Sequence, residues 1–285
     1  MSLITDRLST YRPTNAIEQE VALAEIMQQI ILFALARTDF FERAMFHGGT
    51  CLRIFWNLRR FSEDLDFVLK TPSSDFVWKP YLDAVLNECN AFGIDLEVRD
   101  RAQATGAVKS AFLKTNSIGK LLVASLPHAR NSAQKIAVKV EIDTHPPDGA
   151  DGESRFLIFP GPAAVTVQTL PSSFAGKIHA LLCRKYIKGR DWFDLLWYAE
   201  RGIQPNLALC RSAIHQVGPW QGQATEVTNP WLTDRLAEKV RSIDWSKARI
   251  DVARFLTASD QRGIEIWSEA LFIDAVDRLR RSWSV

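Results

Sequence analysis

Two aspartates and a glycine turn lie close together in the first quarter of the chain, and their types suit phosphate chemistry. The turn His47-Gly48-Gly49-Thr50 is followed by an apolar run and then by Asp64 and Asp66. Glycines allow a tight turn and the close approach of another group, and a helix beginning at Thr50 would offer N–H groups to a phosphate. Residues two apart on a strand share a face, so the aspartates would lie side by side. Their oxygens suit Mg²⁺, which neutralises triphosphate oxygens during phosphoryl or nucleotidyl transfer.

Each half of this pattern also has an ordinary structural explanation. An Asp-x-Asp pair is usually the solvated face of a strand, and a Gly-Gly pair is usually only a turn. The two patterns lie one short helix apart, beside Arg59 and Arg60. For this combination, a nucleotide site and two unrelated structural features are equally reasonable interpretations.

The residues around this pattern resemble the first motif of the AbiEii/AbiGii toxin family. The matching segments are Gly-Gly-Thr-Cys-Leu-Arg-Ile-Phe from Gly48 and Arg-Phe-Ser-Glu-Asp-Leu-Asp-Phe from Arg60. A later segment, with Lys177, Arg184 and Arg-Asp-Trp-Phe-Asp-Leu from Arg190, resembles the family's Lys…Arg-Asp-x-x-Asp-Leu block. The family consists of nucleotidyltransferase-like toxins of abortive-infection and toxin–antitoxin systems. The nucleotide-binding residues that the resemblance implies are Gly48, Gly49, Thr50, Arg60, Ser62, Lys177 and Arg184.

A nucleotidyltransferase needs a third carboxylate on a neighbouring strand. Residues 136–143 alternate apolar and charged side chains, which would place Lys139, Glu141 and Asp143 on one face. Glu141 is the favoured third carboxylate because it lies inside the apolar run, where an unpaired charge is costly. Asp143, nearer the end of the strand, is the alternative, and an ordinary charged strand face remains the structural explanation. The expected metal ligands are therefore Asp64, Asp66 and Glu141.

Three cations follow in the predicted helix that begins at Phe174. Lys177, Arg184 and Lys188 are seven and four residues apart, so a helix would align them in one stripe. The resemblance implies that Lys177 contacts the β- or γ-phosphate, with Arg184 in support. Lysines that extend along a solvent-facing helix are the structural alternative.

Two further aspartates, Asp191 and Asp194, are three residues apart and would share one face of the next helix. By resemblance, Asp191 would bind or orient the lysine and the metal, although a helix N-cap is a common use of such a residue. Asp194 is expected to be partly structural. The expected catalytic residues are Asp64, Asp66, Glu141, Lys177 and Asp191.

The hydrophobic pattern predicts an α+β fold with two domains. A nucleotidyltransferase-like mixed β-sheet domain with flanking helices would occupy residues 1–168, and a helical bundle would occupy residues 169–285. Predicted helices cover 15–37 and 75–92, and predicted strands cover 94–100, 108–114, 121–126, 135–144, 155–159 and 164–168. The strands from 94 to 144 suggest a largely antiparallel extension of the sheet. Beyond them the predicted helices cover 174–187, 191–200, 206–217, 231–242, 250–256 and 264–281.

Composition limits the partners and the compartment. The net charge of +2 and the pI near 8.3 are too mild to indicate a nucleic-acid binder by bulk charge, so RNA would need a local basic patch. Apolar runs such as 30–36 are too short to cross a bilayer, and the N-terminus lacks a signal-peptide pattern. Four scattered cysteines indicate buried thiols in a reducing compartment. The sequence therefore predicts a cytoplasmic protein without membrane contact.

Residue types and resemblance together predict an Mg²⁺-dependent nucleotidyltransferase. The glycine turn would hold the triphosphate, Glu141 would position or deprotonate the acceptor hydroxyl, and the products would be a nucleotidylated acceptor and pyrophosphate. The resemblance implies an RNA acceptor, with the tRNA 3′ end as first candidate, and a cognate antitoxin that prevents growth arrest. Two alternatives stay open: a nucleotidyl- or phosphotransferase that modifies a protein such as the antitoxin, and a nucleotide-binding scaffold without catalysis.

Overall fold

The computed structural model describes residues 3–100, 117–125 and 135–283. The chain divides into two compact units. The sheet unit comprises Met1–Asn57, Phe61–Pro146 and Glu153–Val167, and the helical unit comprises Leu58–Arg60, Pro147–Gly152 and Gln168–Val285. Two short segments thus belong to the helical unit although they lie within the first 168 residues. We retain the domain division between residues 168 and 169 as a proposal.

The sheet unit contains a seven-stranded mixed sheet in the order β3-β4-β5-β2-β1-β7-β6. Its strands are β1 Ala44–His47, β2 Asp64–Leu69, β3 Asp95–Asp100, β4 Ser117–Ser125, β5 Lys135–Asp143, β6 Gly152–Leu157 and β7 Ala163–Gln168. Strand β1 is antiparallel to β2 and parallel to β7, while β2 is parallel to β5. Strand β4 is antiparallel to both of its neighbours, β3 and β5, which confirms the predicted antiparallel extension. The predicted strand 108–114 lies outside the described residues.

Among the described residues of the sheet unit, five helices are present: α1 Leu3–Tyr11, α2 Ala16–Ala36, α3 Phe40–Arg43, α4 Gly48–Trp56 and α5 Lys79–Ala91. The predicted helix at 15–37 is confirmed as α2. Its expected N-cap is confirmed too, because the Asn15 side chain accepts a hydrogen bond of 2.9 Å from the N–H of Glu18. Helix α5 begins later than the predicted residue 75.

Helix α2 corrects the expectation about membrane segments. By length and composition alone it is apolar enough to cross a bilayer, although no bilayer-length run was identified in the sequence. Eleven of its 21 residues are buried in the protein, among them Ile26, Ile30 and Leu32. A core helix of a folded domain meets the same criteria, so α2 is weak evidence for a membrane span.

The core beside β2 is rich in aromatic side chains. The ring of Phe40 lies 4.9 Å from that of Phe67, 5.0 Å from that of Tyr81 and 5.6 Å from that of Trp78. Phe67 comes from β2, where buried and half-buried residues alternate from Asp64 to Phe67. This alternation buries Leu65 and Phe67 and turns the two aspartates to the opposite face.

As far as residue 283, the helical unit contains seven helices and a 3₁₀ turn. They are α6 Leu170–Cys183, α7 Gly189–Glu200, α8 Leu207–Gln216, α9 Asn229–Arg241, α10 Trp245–Ala253, α11 Ala258–Gln261, the 3₁₀ turn Arg262–Ile264 and α12 Glu269–Trp283. Aromatic stacking organises their packing: the rings of Trp245 and Phe272 are 4.0 Å apart, and those of Phe174 and Tyr198 are 4.1 Å apart. The predicted helix 174–187 is too long, because α6 ends at Cys183. The predicted helix 264–281 starts too early, because α11 and the 3₁₀ turn precede α12.

Candidate functional site

The glycine turn joins β1 to α4 with a left-handed residue at its first position. Gly48 has φ +80°, and a Cβ placed on it would lie 2.7 Å from the Oδ2 atom of Asp66. Both the backbone and the neighbouring carboxylate therefore require glycine at this position. Helix α4 begins at Gly48 rather than at the expected Thr50, so Gly49 is a buried residue of its first turn.

Thr50 ties α4 to the strand that carries the aspartates. Its side chain is fully buried, and its hydroxyl donates a short hydrogen bond to the main-chain carbonyl of Asp64. Ser62, just before that strand, is anchored through its main-chain carbonyl, which accepts a hydrogen bond of 2.9 Å from the Gln28 side chain. The Thr50 hydroxyl thus ties α4 to β2, and the phosphate contact expected of Thr50 stays a prediction.

The carboxylates of β2 and β5 occupy one face of the sheet. The parallel register places Asp66 opposite Glu141 and Asp64 opposite Lys139. The Lys139 ammonium lies 2.8 Å from a Glu141 oxygen, with both side chains mostly covered. Burial alternates along β5, since Val140 and Ile142 are buried and their charged neighbours are half-buried. The predicted shared face of the charged residues is therefore confirmed.

Asp143, the alternative third carboxylate, has a local partner. Its Oδ1 atom accepts a hydrogen bond of 3.0 Å from the main-chain N–H of His145, which orders the turn after β5. Glu141 instead neighbours Asp66 across the strands. The register therefore places Glu141, and not Asp143, beside Asp66.

The donor set of this face suits a cation that arrives with its substrate. Among the residues that the structure describes, no three His, Cys, Asp or Glu side chains are grouped closely enough to hold a metal ion. The three-ligand set of Asp64, Asp66 and Glu141 expected from the sequence is therefore not assembled. Mg²⁺ commonly binds through one or two carboxylates and completes its shell with water and phosphate oxygens. The two aspartates fit that mode of binding.

A second set of charged residues lies in the helical unit. The Lys177 ammonium, on α6, is 2.7 Å from Asp191 and 2.8 Å from Asp194, both on α7. Burial raises the pKa of the Asp191 carboxyl, but Lys177, Arg184 and Lys188 more than offset that effect, so its pKa lies well below the ordinary value. The predicted pairing of Asp191 with the lysine is observed, whereas the N-cap of α7 is Lys188.

Arg60 belongs to this set although it lies far away in sequence. Its guanidinium is buried and binds Asp194 through two hydrogen bonds, Nε to Oδ1 at 2.6 Å and Nη2 to Oδ2 at 2.7 Å. Burial opposes ionisation of Asp194, but Arg60 and Lys177 hold the pKa of its carboxyl below the ordinary value. Arg60 thus orients Asp194, and the nucleotide contact expected of Arg60 stays a prediction. The segment from Leu58 to Phe61 carries two arginines, and no pattern in it separates the buried Arg60 from the exposed Arg59.

The predicted cationic stripe is wrong. Helix α6 ends at Cys183, and Arg184 follows in an extended conformation with φ −69° and ψ 134°. Lys188 lies at the start of α7, so Lys177, Arg184 and Lys188 do not share a helix. The Arg184 guanidinium instead forms a short ion pair with the second oxygen of Asp191. The cations are brought together by Asp191 and not by helical periodicity.

Comparison with known proteins agrees with the fold and the motifs. The family model described as the nucleotidyl transferase AbiEii toxin of type IV toxin–antitoxin systems matches residues 30–273. A proposed nucleotidyltransferase from H. pylori is similar in structure, with a TM-score of 0.50, 17% identity, and coverage of 90% of this chain and 92% of that chain. JHP933 from Helicobacter pylori aligns with a TM-score of 0.51, 17% identity, and coverage of 92% and 90%. None of the curated proteins matches the sequence significantly.

The two structural likenesses show a common fold at low sequence identity, and the family model spans most of the chain. The α+β architecture and the enzyme class expected from the sequence are both confirmed. The chain therefore belongs to the AbiEii family of nucleotidyl transferase toxins from type IV toxin–antitoxin systems.

Proposed function

We propose that this nucleotidyltransferase transfers a nucleoside monophosphate from a nucleoside triphosphate to an RNA, with the tRNA 3′ end as first candidate, and that it depends on Mg²⁺. The observation that carries the proposal is the common face of Asp64, Asp66 and Glu141 next to the Gly48 turn. Nucleotidyl transfer needs carboxylates for a metal and room for phosphates close to a strand end. This face offers the carboxylates, and the N-terminus of α4 that follows β1 would favour a phosphate.

In the proposed reaction, the acceptor hydroxyl oxygen bonds to the α-phosphorus while the bond from that phosphorus to the β-phosphate oxygen breaks. Pyrophosphate leaves with that electron pair, and Glu141 takes the hydroxyl proton. Asp64 and Asp66 would hold Mg²⁺, which neutralises the charge of the phosphate oxygens when bound. Gly48 would let the Asp66 carboxylate lie against the turn, because a side chain there would collide with it.

In the helical unit, Lys177 and Arg184 remain the proposed phosphate-binding cations. An ammonium has three donors, and Lys177 uses two of them on Asp191 and Asp194. Asp191 binds both cations, so its proposed part in activity is to hold them in place. In this role, Asp191 would be required for activity although it would not contact the reacting atoms.

The family implies a nucleotide substrate and an antitoxin partner. We propose that the chain arrests growth from within the cytoplasm and that the cognate antitoxin relieves this effect. A protein such as the antitoxin remains the alternative acceptor. The alternative to an enzyme is a nucleotide-binding scaffold without catalysis.

The test uses purified full-length protein, Mg²⁺, total tRNA and each α-³²P-labelled nucleoside triphosphate in turn. We expect label on tRNA with the wild-type chain and a loss of at least about a hundredfold in Asp64→Ala/Asp66→Ala. The matched control is Asp75→Ala/Asp83→Ala, since both residues are exposed carboxylates of the same unit. The control should transfer label at the wild-type rate.

Other outcomes would select the alternatives. Label on protein, with tRNA unlabelled, would replace RNA by a protein acceptor, and label from γ-³²P in place of α-³²P would indicate phosphotransfer. Binding of nucleotide without transfer to any macromolecule would contradict the proposal and favour the scaffold. Equal activity with Mg²⁺ absent and EDTA present would contradict the metal dependence.

A further inference from the structure

The loop between α6 and α7, residues 184–188, presents an aromatic ring to solvent. Tyr186 lies in the middle of this loop and is 65% exposed. Among the described residues, no aromatic ring and no cation packs against its side chain. Aromatic rings gain much free energy when they are buried against a flat partner, and the base of an unpaired nucleotide is such a partner. The ring is therefore placed where an unpaired base could stack on it.

Two lysines lie at this loop. Lys185 is the neighbour of Tyr186 in the chain, and its side chain is exposed. Lys239, on α9, donates a hydrogen bond of 3.1 Å to the main-chain oxygen of Arg184, the first residue of the loop. The ammonium of Lys239 therefore lies at the start of the loop although its helix begins 41 residues after the loop ends.

A third cation lies where α10 ends. Arg254 is exposed, and its guanidinium carbon is 4.5 Å from the centre of the Phe255 ring. The guanidinium of Arg190, in the first turn of α7, packs on the same ring at 4.3 Å. Because α7 begins directly after the loop, this shared ring brings Arg254 to the same part of the helical unit as the two lysines.

No carboxylate neutralises these three cations in the part of the chain that the structure describes. Lys185, Lys239 and Arg254 form no ion pair there. Asp191, which follows the loop, is already bound by two other cations. Asp251 lies on α10, three residues before Arg254, and does not pair with it. The cations are distributed over a loop and the ends of two helices, which suits a chain of phosphates better than a single phosphate group.

We propose that Lys185, Tyr186, Lys239 and Arg254 form a basic surface that binds the single-stranded end of the RNA acceptor. Tyr186 would stack on an unpaired base, and the three cations would contact phosphates of the same strand. That the strand is the acceptor of the reaction rests on the proposed function. The binding of single-stranded nucleic acid rests on the exposed ring and on cations without carboxylate partners.

The basic surface adjoins the cations that are proposed to bind the nucleotide. Arg184, which pairs with Asp191, directly precedes Lys185 and accepts the hydrogen bond from Lys239. A strand on the basic surface would therefore lie beside Arg184, and through Asp191 close to Lys177. The residues of the basic surface take no part in the transfer step itself. Their variants should raise the KM for tRNA and leave kcat near the wild-type value.

The experiment measures binding of a fluorescein-labelled, single-stranded RNA of about 12 nucleotides to the full-length chain by fluorescence anisotropy, without metal or nucleotide. We expect Tyr186→Leu to bind about tenfold more weakly than wild type, because leucine offers no ring for stacking. Tyr186→Phe keeps the ring and should bind like wild type. Both variants should keep the wild-type dependence of binding on salt, since neither changes a charge.

The cations are tested by the slope of the logarithm of the binding constant against the logarithm of the salt concentration. Lys185→Ala/Arg254→Ala should reduce the magnitude of this slope by about 1.4, because each phosphate contact of a single strand contributes about 0.7. The matched control is Arg201→Ala/Arg278→Ala. It removes the same net charge from the helical unit, at arginines that pair with neighbouring carboxylates, and it should keep the wild-type slope.

Four results would overturn the proposal. They are absence of RNA binding in wild type, wild-type affinity in Tyr186→Leu, equal slopes in the double variant and its control, and displacement of the RNA by polyglutamate as readily as by unlabelled RNA. The last result would show that the surface binds any polyanion, an acidic protein included. Urea unfolding verifies that each variant is folded.

Labelled-nucleotide transfer separates this proposal from the proposed function. A wild-type KM for tRNA in Tyr186→Leu would refute only the role of the basic surface. The expected RNA binding, together with label that goes to protein and not to tRNA, would refute only the proposed acceptor.

Discussion

The Oδ2 atom of Asp66 lies 2.7 Å from the point that a Cβ on Gly48 would occupy. The Asp66 carboxylate thus fills the space beside Gly48, and a side chain at residue 48 would not fit there. Strand β1, which ends just before Gly48, pairs with β2, and its last residue, His47, lies opposite Asp66. This pairing brings Gly48 close to the Asp66 carboxylate. Gly48 and Asp66, which are 18 residues apart in the sequence, therefore pack against each other.

Gly48→Ala should lower both stability and nucleotidyl transfer. The left-handed backbone with φ +80° costs about 1–2 kcal/mol for a residue with a Cβ, and the methyl group would push the Asp66 carboxylate aside. Urea unfolding and the labelled-tRNA assay measure the two effects. Gly176→Ala is the control, because no atom lies within 4 Å of a Cβ there. Wild-type activity in Gly48→Ala would show that the position of Asp66 is unimportant.

Glu141→Gln should reduce transfer by about 10²–10⁴-fold, because an amide cannot accept the proton of the acceptor hydroxyl. Asp143→Asn should stay near the wild-type rate, since the Asp143 carboxylate serves the turn at His145. Single-turnover rates with saturating nucleotide make the comparison. The opposite ranking of the two variants would transfer the role of third carboxylate to Asp143.

Arg60→Met should destabilise the protein by about 3–5 kcal/mol, because it leaves Asp194 buried with half of its neutralising partners removed. Arg59→Met is the neighbouring control: the Arg59 side chain is 70% exposed, and its ion pair with Asp260 contributes about 0–1 kcal/mol. Urea unfolding compares them. The double variant Arg60→Met/Asp194→Leu should recover part of the loss, and a strictly additive result would mean that the pair is not coupled.

Acid should destabilise the fold through Asp191 and Asp194. Their folded pKa values lie below the ordinary value, near 3.9 in an unfolded chain. Both carboxylates are ionised in both states above about pH 5, so their full contribution is present there. As the pH falls below about 4, the unfolded chain binds protons that the folded chain does not, and the free energy of unfolding decreases.

Urea unfolding between pH 2.5 and pH 6 measures this slope. In Asp191→Asn the decrease below pH 4 should be smaller than in wild type, because one of the two carboxylates no longer titrates. Asp148→Asn, at an exposed carboxylate of the same unit, should retain the wild-type slope. Parallel curves for wild type and Asp191→Asn would contradict the lowered pKa.

The sequence by itself determined the elements whose pattern is local. Alternation along β2 and β5 indicated which residues share a face, since side chains on a strand point to opposite sides in turn. Asn15 predicted the start of α2, because its side chain satisfies an N–H group only three residues away. The glycine turn and the Asp-x-Asp pair, with their resemblance to a family, predicted the enzyme class.

Only the tertiary structure decided which charges meet. Arg60 and Asp194 are 134 residues apart in sequence, and no local pattern links them. The end of α6 at Cys183 could not be predicted from the sequence either, because the charged residues in 184–188 keep a helical spacing. Gly189, at the start of α7, is a second example. A Cβ on it would collide with the main-chain oxygen of Ala248, so glycine lets α7 pack closely on α10. Such contacts depend on the whole folded chain, and for that reason the role of each cation emerged only from the structure.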